Sequence, residues 1–346
     1  MHGNHRVREP KIPWDPPAYR AHRCLAPLGV PDGNLDKPFW TQGTWIDHFH
    51  DIEGGTRPRP AKRTRVKLLW DDTALYVGAE LADDTIWATV SQRDEVIFVD
   101  NDFEVFLAPR NTTHRYYEIE INAANAVWDL LMEKPQRDRV RRISSWDIKG
   151  FQSAVHINGR LNDPEANNLG WSVEMVIPWF SLRECGVDEV APRQLAPEPG
   201  ETWRLNFSRV EYDVHAENGR YIKNTNAATG EPLPEHNWVW SPTGIIDIHL
   251  PEMWGYLTFT QSGEAWDLCH DEEVRMALRR LYYRQHAYMR EHGAFTEDAA
   301  ALLGDEAMMY HITTHTTPSM FEGIGLAGNR VYHIRQDGYL WEGDEQ

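Results

Sequence analysis

Carboxylate and amide side chains alternate with apolar residues along several segments of the sequence. In residues 116–122, Glu118, Glu120 and Asn122 hold alternate positions, and acids alternate with apolar residues in the same way over 102–107. Successive side chains of a β-strand point to opposite faces, so each segment has one apolar and one polar face. A single such strand is typical of the solvated side of a sheet. Several together predict a polar ligand groove, because acids and amides are the partners that sugar hydroxyls need.

Aromatic residues provide the second half of a sugar site. The chain has 15 tryptophans, an unusually high number, and flat rings stack on the C–H faces of sugars. Trp128 and Trp146 lie near strand ends or in predicted loops, where an indole is either a core anchor or an exposed stacking platform. We place both in the site as platforms. The predicted substrate-binding residues are Arg93, Glu104, Tyr116, Glu118, Glu120, Asn122, Trp128, Trp146, Asn206 and Arg209.

Glu118 and Glu120 are also the candidate catalytic residues, because two carboxylates flanking a glycosidic bond are the usual machinery of its hydrolysis. Acidic pairs line non-catalytic sugar sites as well. The sequence contains no GxSxG, P-loop, GxGxxG or HExxH motif. A carbohydrate-binding protein is therefore the leading interpretation, and a polysaccharide hydrolase or lyase is the alternative.

Compact groups of acidic residues predict a structural calcium ion, since calcium prefers oxygen ligands. The predicted metal ligands are Asp71, Asp72, Asp100 and Asp102. None of these groups has EF-hand spacing, and each alone is also typical of a turn. His48 and His50 form an HxH pair that would suit zinc, but the sequence shows no third ligand.

The charge balance argues against nucleic acid as a partner. The chain carries 53 acidic and 35 basic residues, a net charge of −18, which repels a phosphate backbone. The densest basic run, residues 137–142, fits a solvated loop. No stretch of about 18 apolar residues predicts a membrane span, and no apolar segment near residue 1 predicts an export signal. The three cysteines, Cys24, Cys185 and Cys269, are too far apart to suggest a disulfide framework and are expected to be free thiols.

Strand-like segments separated by turn residues run from about residue 64 to 260. Many short strands without long helices between them predict a mainly β fold, specifically an antiparallel β-sandwich of immunoglobulin-like or jelly-roll type. Residues 1–30 are rich in proline and arginine and predict an extended N-terminal arm, so the sandwich is expected over 31–262.

The pattern changes to α+β in residues 263–346. Residues 271–292 carry an apolar stripe at helical spacing, and residues 321–341 fit a small meander. A stripe containing Val274, Leu278 and Leu281 needs a partner surface, either the sandwich or another subunit. The sequence thus predicts a small C-terminal extension and allows an oligomer through the 271–292 helix.

A series of motifs over about residues 31–260 resembles the family 9 carbohydrate-binding modules. The motifs occur in the family's order and are DGNLDKPFW (32–40), VKLLWDD (66–72), NDFEVFL (101–107), YEIEIN (117–122), GWSVEMVIPW (170–179) and WRLNFSR (203–209). The resemblance implies a β-sandwich that binds the ends of glucan or xylan chains between aromatic rings. It also implies structural calcium in some members and a usually exported protein. Related sandwich domains hold haem through Met and His, which makes a haem-binding electron-transfer domain a third possibility.

Overall fold

Strands account for 37% of the residues and helices for 16%, which confirms the mainly β prediction. A computed structural model describes residues 7–109, 113–138, 141–184, 196–261 and 270–343. Cys185, Cys269 and residues 139–140 of the basic run lie outside these ranges. The strands are β1 (Ala18–Arg23), β2 (His50–Asp51), β3 (Thr64–Trp70), β4 (Ala74–Ala82), β5 (Asp102–Ala108), β6 (Tyr116–Asn122), β7 (Val127–Lys134), β8 (Arg141–Ile143), β9 (Gln152–Asn158), β10 (Gly170–Pro178), β11 (Thr202–Glu211), β12 (Val214–Glu217), β13 (Arg220–Lys223), β14 (His236–Val239), β15 (Gly255–Thr260), β16 (Thr313–Thr316), β17 (Phe321–Ala327), β18 (Arg330–Arg335) and β19 (Leu340–Gly343). The α-helices are α1 (His270–His292), α2 (Ala299–Leu303) and α3 (Asp305–Met309), and short 3-10 helices include Ile97–Val99 and Trp179–Leu182.

Thirteen strands join into one large sheet. Its order is β8-β7-β6-β5-β11-β15-β1-β3-β4-β10-β9. β14 pairs with β11, and β2 pairs with β14. β1 pairs in parallel with both β15 and β3. The sheet is therefore mixed, and the prediction of a purely antiparallel arrangement is wrong. Because one hydrogen-bonded ladder connects the strands, the predicted two-sheet sandwich is not confirmed.

β1 comes from the region in which the sequence predicts an extended arm. It lies between β15 and β3, with Tyr19 opposite Leu257 and His22 opposite Leu69. Tyr19 is buried, and its hydroxyl donates to the Thr44 carbonyl at 2.8 Å. The sequence pattern does not predict this strand, because the prolines and arginines near it are typical of irregular segments.

The large sheet curls around a single main core. Apolar side chains from β3, β4 and β10 on one side meet those from β5, β6 and β11 on the other. Trp70, Trp171 and Trp203 are buried there. The opposite face of β5 and β6 therefore points away from the main core, and this is where the acidic residues of those two strands lie.

The carboxylate of Glu174 on β10 holds the first of the sequence motifs in place. It is fully buried and accepts hydrogen bonds from the backbone N–H groups of Asp32 and Gly33 at 2.8 and 2.9 Å. The Lys37 ammonium at 2.8 Å and the Trp40 indole N–H at 2.7 Å complete its partners. Gly33 has φ +81°, and a Cβ there would lie 2.4 Å from the backbone nitrogen of His156. Only glycine fits this approach.

Replacing Glu174 by alanine would leave buried donors without an acceptor. We expect Glu174→Ala to lower the free energy of unfolding by about 3 kcal/mol, measured by urea denaturation. Glu80→Ala is the control, because Glu80 makes a half-exposed ion pair with Arg65 and should cost no more than about 1 kcal/mol. Equal unfolding midpoints for the two variants would contradict this account of Glu174.

The C-terminal part contains the predicted helix and meander. α1 packs on β17 and β18, within a four-stranded antiparallel sheet of order β16-β17-β18-β19. Val274, Leu278 and Leu281 are buried in a core shared with Phe321 and Ile334. The apolar stripe of α1 thus contacts its own chain instead of offering a surface to another subunit. Among the described helices, none is both long and apolar enough to cross a membrane.

Buried ion pairs join this part to the large sheet. Arg137 is only 6% exposed, so the start of the basic run is not the solvated loop predicted from the sequence. Its guanidinium lies 2.9 Å from the carboxylate of Glu252, which also accepts from the Tyr283 hydroxyl of α1. Arg204 on β11 pairs with Glu272 of α1 at 2.8 Å. Removing one partner would leave a buried charge uncompensated.

We therefore expect Arg137→Ala to lower the free energy of unfolding by about 3–5 kcal/mol, because Glu252 would remain buried without its cation. Guanidinium denaturation followed by circular dichroism measures the loss. Arg57→Ala removes a largely exposed pair with Glu53 and should cost no more than about 1 kcal/mol. An Arg137→Ala protein as stable as the Arg57→Ala control would show that the buried pair does not hold the extension to the sheet.

Candidate functional site

Four acidic residues lie together on the outer face of β5 and β6. The carboxylate cluster consists of Asp102, Glu104, Glu118 and Glu120. Glu104 is directly opposite Glu120 across the β5–β6 pair, and Ser208 of β11 is opposite Glu104 on the other side. The apolar partners of these residues along each strand fill the main core, which forces the acids onto the same outer face.

The cluster is deeply buried. Each of its four side chains is at most 5% exposed. One oxygen from each of Asp102, Glu104 and Glu120 lies within 4.8 Å of the other two. Asp102 accepts from the Val210 backbone N–H at 3.3 Å, and the hydroxyl of Ser208 contacts Glu104. Asp102 Oδ2 and Glu118 Oε2 have no hydrogen-bond partner among the described residues.

Burial raises the pKa of every member of the cluster. It is the largest cause for all four, and repulsion from the Glu104 carboxylate raises the pKa values of Asp102, Glu118 and Glu120 further. The pKa of Glu104 rises to about 7, and that of Glu118 to about 8. Within the described part of the chain, no Lys, Arg or His nitrogen forms an ion pair with these carboxylates. The cluster therefore holds four acidic groups that no resident cation contacts, and their raised pKa values mean that these groups are partly protonated at neutral pH.

A short turn covers the cluster. We call residues 96–99 the covering turn; the Phe98 backbone N–H donates to Glu120 Oε2 at 3.1 Å. The Tyr212 hydroxyl donates to the Phe98 carbonyl at 2.9 Å, and the Lys223 ammonium donates to the Val99 carbonyl at 2.6 Å. Val96, Phe98 and Val99 are 38, 42 and 40% exposed. An apolar, solvent-facing patch thus lies above a buried acidic one.

The rim beside the covering turn combines rings with charged groups. The Phe98 ring packs against Trp128 with ring centroids 6.1 Å apart, and the Arg142 guanidinium lies 5.6 Å from the centroid of Trp128. Arg142 and Glu235 are exposed. Both act electrostatically on the cluster, since Arg142 lowers the pKa of Glu118 and Glu235 raises that of Glu104.

Only some of the predicted substrate-binding residues come together here. Glu104, Glu118 and Glu120 meet in the cluster, and Trp128 is adjacent to its rim. Trp128 and Trp146 are 5 and 8% exposed, so neither indole is the exposed platform that the sequence suggested. Trp146 packs on Tyr117 in the main core, with ring centroids 4.8 Å apart.

Other predicted residues make structural contacts. Asn122 accepts from the Ala124 and Ala126 N–H groups, and Asn206 bonds the backbone of Ser241 in both directions. Tyr116 is buried beside His249, 2.8 Å from its Nδ1.

The two predicted arginines lie away from the cluster. Arg93 pairs with the buried Asp129 and with Asp147. Arg209 lies on the inner face, where it pairs with Glu211 at 2.7 Å and approaches Asp83.

Three of the predicted calcium ligands have other partners. Asp71 accepts from the Thr73 N–H, the Ala74 N–H and the Tyr76 hydroxyl. Asp72 is exposed and pairs with Arg23. Asp100 accepts from the N–H groups of Thr89 and Val90. Of these three carboxylates only Asp71 closes a turn, and of the four predicted ligands only Asp102 belongs to the cluster. The His48 side chain is 89% exposed and lies beside Asp47.

Phe98, Arg142 and Glu235 were missed from the sequence. Phe98 belongs to the apolar run Val96–Val99 (VIFV), which precedes the acidic residues at 100–102. Such a run predicts a buried strand, so nothing in the sequence indicated that the Phe98 ring would be exposed. Arg142 and Glu235 follow no periodic pattern, and only the folded chain places them beside the cluster.

A family model described as carbohydrate family 9 binding domain-like matches residues 31–231, more than half of the chain. A search of curated proteins gives no match. A solved structure of a candidate carbohydrate-binding protein from Bacteroides uniformis ATCC 8492 is 15% identical, with a TM-score of 0.49, and covers 71% of this chain and 100% of its own. A family 9 carbohydrate-binding module from Caldicellulosiruptor kristjanssonii in complex with cellotriose is 17% identical, with a TM-score of 0.39, and covers 72% of this chain and 100% of its own. The complex of such a module with glucose, from the same organism, is 16% identical, with a TM-score of 0.43 and the same coverage.

Replacing Glu118 by glutamine would remove one buried charge and keep the side-chain shape. In buffer freed of divalent ions with EDTA, we expect Glu118→Gln to be more stable than the wild type at pH 8, by about 1–3 kcal/mol. Because folding raises the pKa values of Glu104 and Glu118 from 4.5 to about 7 and about 8, the wild type loses stability as the pH rises from the ordinary value toward these raised values.

The difference between the two proteins should therefore shrink at pH 5, where the folded wild type holds these protons. Urea denaturation at both pH values measures it, with Glu80→Gln as the matched exposed control. A wild type that is more stable than Glu118→Gln at pH 8 in EDTA would contradict the electrostatic account of the cluster.

Proposed function

The chain belongs to the carbohydrate family 9 binding domain-like family, and we propose that it binds an oligosaccharide on the surface above the carboxylate cluster. The observation that carries this placement is the exposed Phe98 ring on the covering turn. Trp128 supports that ring from below, so Phe98 is an aromatic platform with a defined orientation. Sugar rings stack on such platforms through their C–H faces.

Polar groups around Phe98 suit the hydroxyls of the same sugar. The Arg142 guanidinium, which lies beside Trp128, can donate hydrogen bonds to sugar hydroxyls. The Glu235 carboxylate, whose charge raises the pKa of Glu104, can accept them. Because the cluster itself is at most 5% exposed, we assign direct sugar contacts to this rim. The buried carboxylates support the covering turn through the bond from Phe98 N–H to Glu120.

The geometry does not favour glycosidic cleavage by Glu118 and Glu120. Their carboxyl groups share a hydrogen bond. Glycosidases hold their two carboxyl groups about 5–5.5 Å apart for retention or about 6.5–9.5 Å apart for inversion. Both glutamates are also at most 5% exposed, which leaves no room for a scissile bond between them. We therefore propose binding rather than catalysis for this surface.

Phe98→Ala should weaken sugar binding by about 1–3 kcal/mol, through lost stacking area. Isothermal titration calorimetry with glucose, cello-oligosaccharides and xylo-oligosaccharides first identifies a ligand, and the variant is then titrated with it. Phe180→Ala is the matched control, because Phe180 is similarly exposed, at 46%, but lies in the 3-10 helix Trp179–Leu182. Affinity should be unchanged in the control.

A cavity outside the proposed surface offers an alternative place for the sugar. A cavity of about 510 Å³ at the end of β11 is lined by Tyr212, His236 and Trp238, among others. If Phe98→Ala binds like the wild type while His236→Ala does not, the sugar occupies this cavity and our placement is wrong. If no glycan in the panel binds the wild type, carbohydrate binding itself is rejected for those sugars.

A further inference from the structure

We propose that the carboxylate cluster binds one divalent cation that prefers oxygen ligands, with Asp102, Glu104 and Glu120 as its ligands. This goes beyond sugar binding, and it places the ion at a different set of residues from the calcium ligands predicted from the sequence, with which it shares only Asp102.

The spacing of the three carboxylates suits a single ion. One oxygen from each lies within 4.8 Å of the other two. Calcium binds oxygen at about 2.3–2.6 Å, so two ligands on opposite sides of the ion are about 4.6–5.2 Å apart. One cation between Asp102, Glu104 and Glu120 can therefore contact all three without large movements. Carboxylates also bind in bidentate fashion, which allows three of them to supply up to six oxygens.

Unpartnered oxygens are the second observation. Glu118 is 5% exposed, and its Oε2 has no hydrogen-bond partner among the described residues. Its carboxyl group lies against the three ligands, because it shares a hydrogen bond with Glu120. Asp102 Oδ2 is likewise buried without a partner. Buried polar atoms in proteins are nearly always satisfied, so these two oxygens indicate a missing positive partner.

The charge balance points the same way. Four carboxylates share the site, and among the described residues no Lys, Arg or His lies within ion-pair distance of them. Buried charges are normally paired or coordinate a metal. A divalent cation would give these acidic oxygens a common positive partner in place of the protons that burial otherwise makes them hold.

The ligand types define the class of cation. The group contains only oxygen donors, with the Ser208 hydroxyl beside Glu104 as a further one. Carboxylates and hydroxyls suit calcium, magnesium and manganese, whereas zinc and copper sites usually include His or Cys. The covering turn closes the site, so its occupancy would also fix the backbone of Phe98 through Glu120.

The test uses the full chain, stripped of metal with EDTA and dialysed into metal-free buffer without sugar. Calcium, magnesium and manganese chlorides are titrated by calorimetry, and terbium serves as a luminescent calcium probe excited through tryptophan. Trp128 lies directly opposite Glu120 across β6 and β7, close enough to sensitise terbium at this site. We expect saturable binding of one ion per chain and a rise in the melting temperature.

Three variants localise the ion. Asp102→Asn, Glu104→Gln and Glu120→Gln should each weaken metal affinity at least about tenfold and reduce the terbium signal. Glu80→Gln, on the distant strand β4, should bind like the wild type. Each cluster variant removes a buried like charge, so in EDTA it should be at least as stable as the wild type, and unfolding does not confuse the comparison.

The proposal is overturned if the wild type binds none of these ions at one per chain, or if the three cluster variants bind as tightly as Glu80→Gln. Sugar is absent from every measurement, so a protein that binds no metal would not count against the proposed sugar site. Conversely, Phe98→Ala should keep the ion even when it loses the sugar.

Discussion

The alternation of side chains along β5, β6 and β11 is the constraint on which the functional surface depends. Their apolar residues fill the main core, and the acids between them have no choice but the opposite face. Cross-strand register then brings Glu104 and Glu120 face to face, which a surface sheet would avoid. Burying four carboxyl groups is costly, and the raised pKa values show that protonation offsets part of this cost.

Glu174 shows how distant motifs become one structure. A single carboxylate on β10 satisfies donors from four residues of the segment DGNLDKPFW, so two motifs that are about 140 residues apart share one buried contact. Gly78 lies opposite Glu174, and a Cβ there would come within 3.0 Å of the Trp40 ring. These residues support the half of the sheet that lies far from the cluster. The structural contacts of Glu174 and the ligand sites proposed above thus lie on different halves of the sheet.

Much of this architecture could be predicted from the sequence, because period-2 patterns report which face of a strand is buried. The bounds of β6, the helix of the C-terminal part, and the placing of Glu104, Glu118 and Glu120 on the polar faces of their strands follow from periodicity. The register between β5 and β6 then brings Glu104 opposite Glu120. Which aromatic side chains are exposed to solvent does not follow from this periodicity. Trp128 and Trp146 are buried and Phe98 is exposed, since loop conformation and tertiary packing decide which ring faces solvent. The parallel pairing of β1 could not be predicted from the residues around β1 either, because its partners are remote in sequence.

That parallel pairing also sets the order of assembly. β1 has both of its ladder partners only once β3 and β15 exist, and β15 ends at Thr260. During synthesis the first strand therefore waits for more than two hundred further residues before its second neighbour emerges. Contacts of such long range slow folding, and an unpaired central position leaves two open strand edges in the nascent chain. The β15–β1 ladder joins the two halves of the sheet, so a ribosome-bound chain that stops short of β15 lacks that junction.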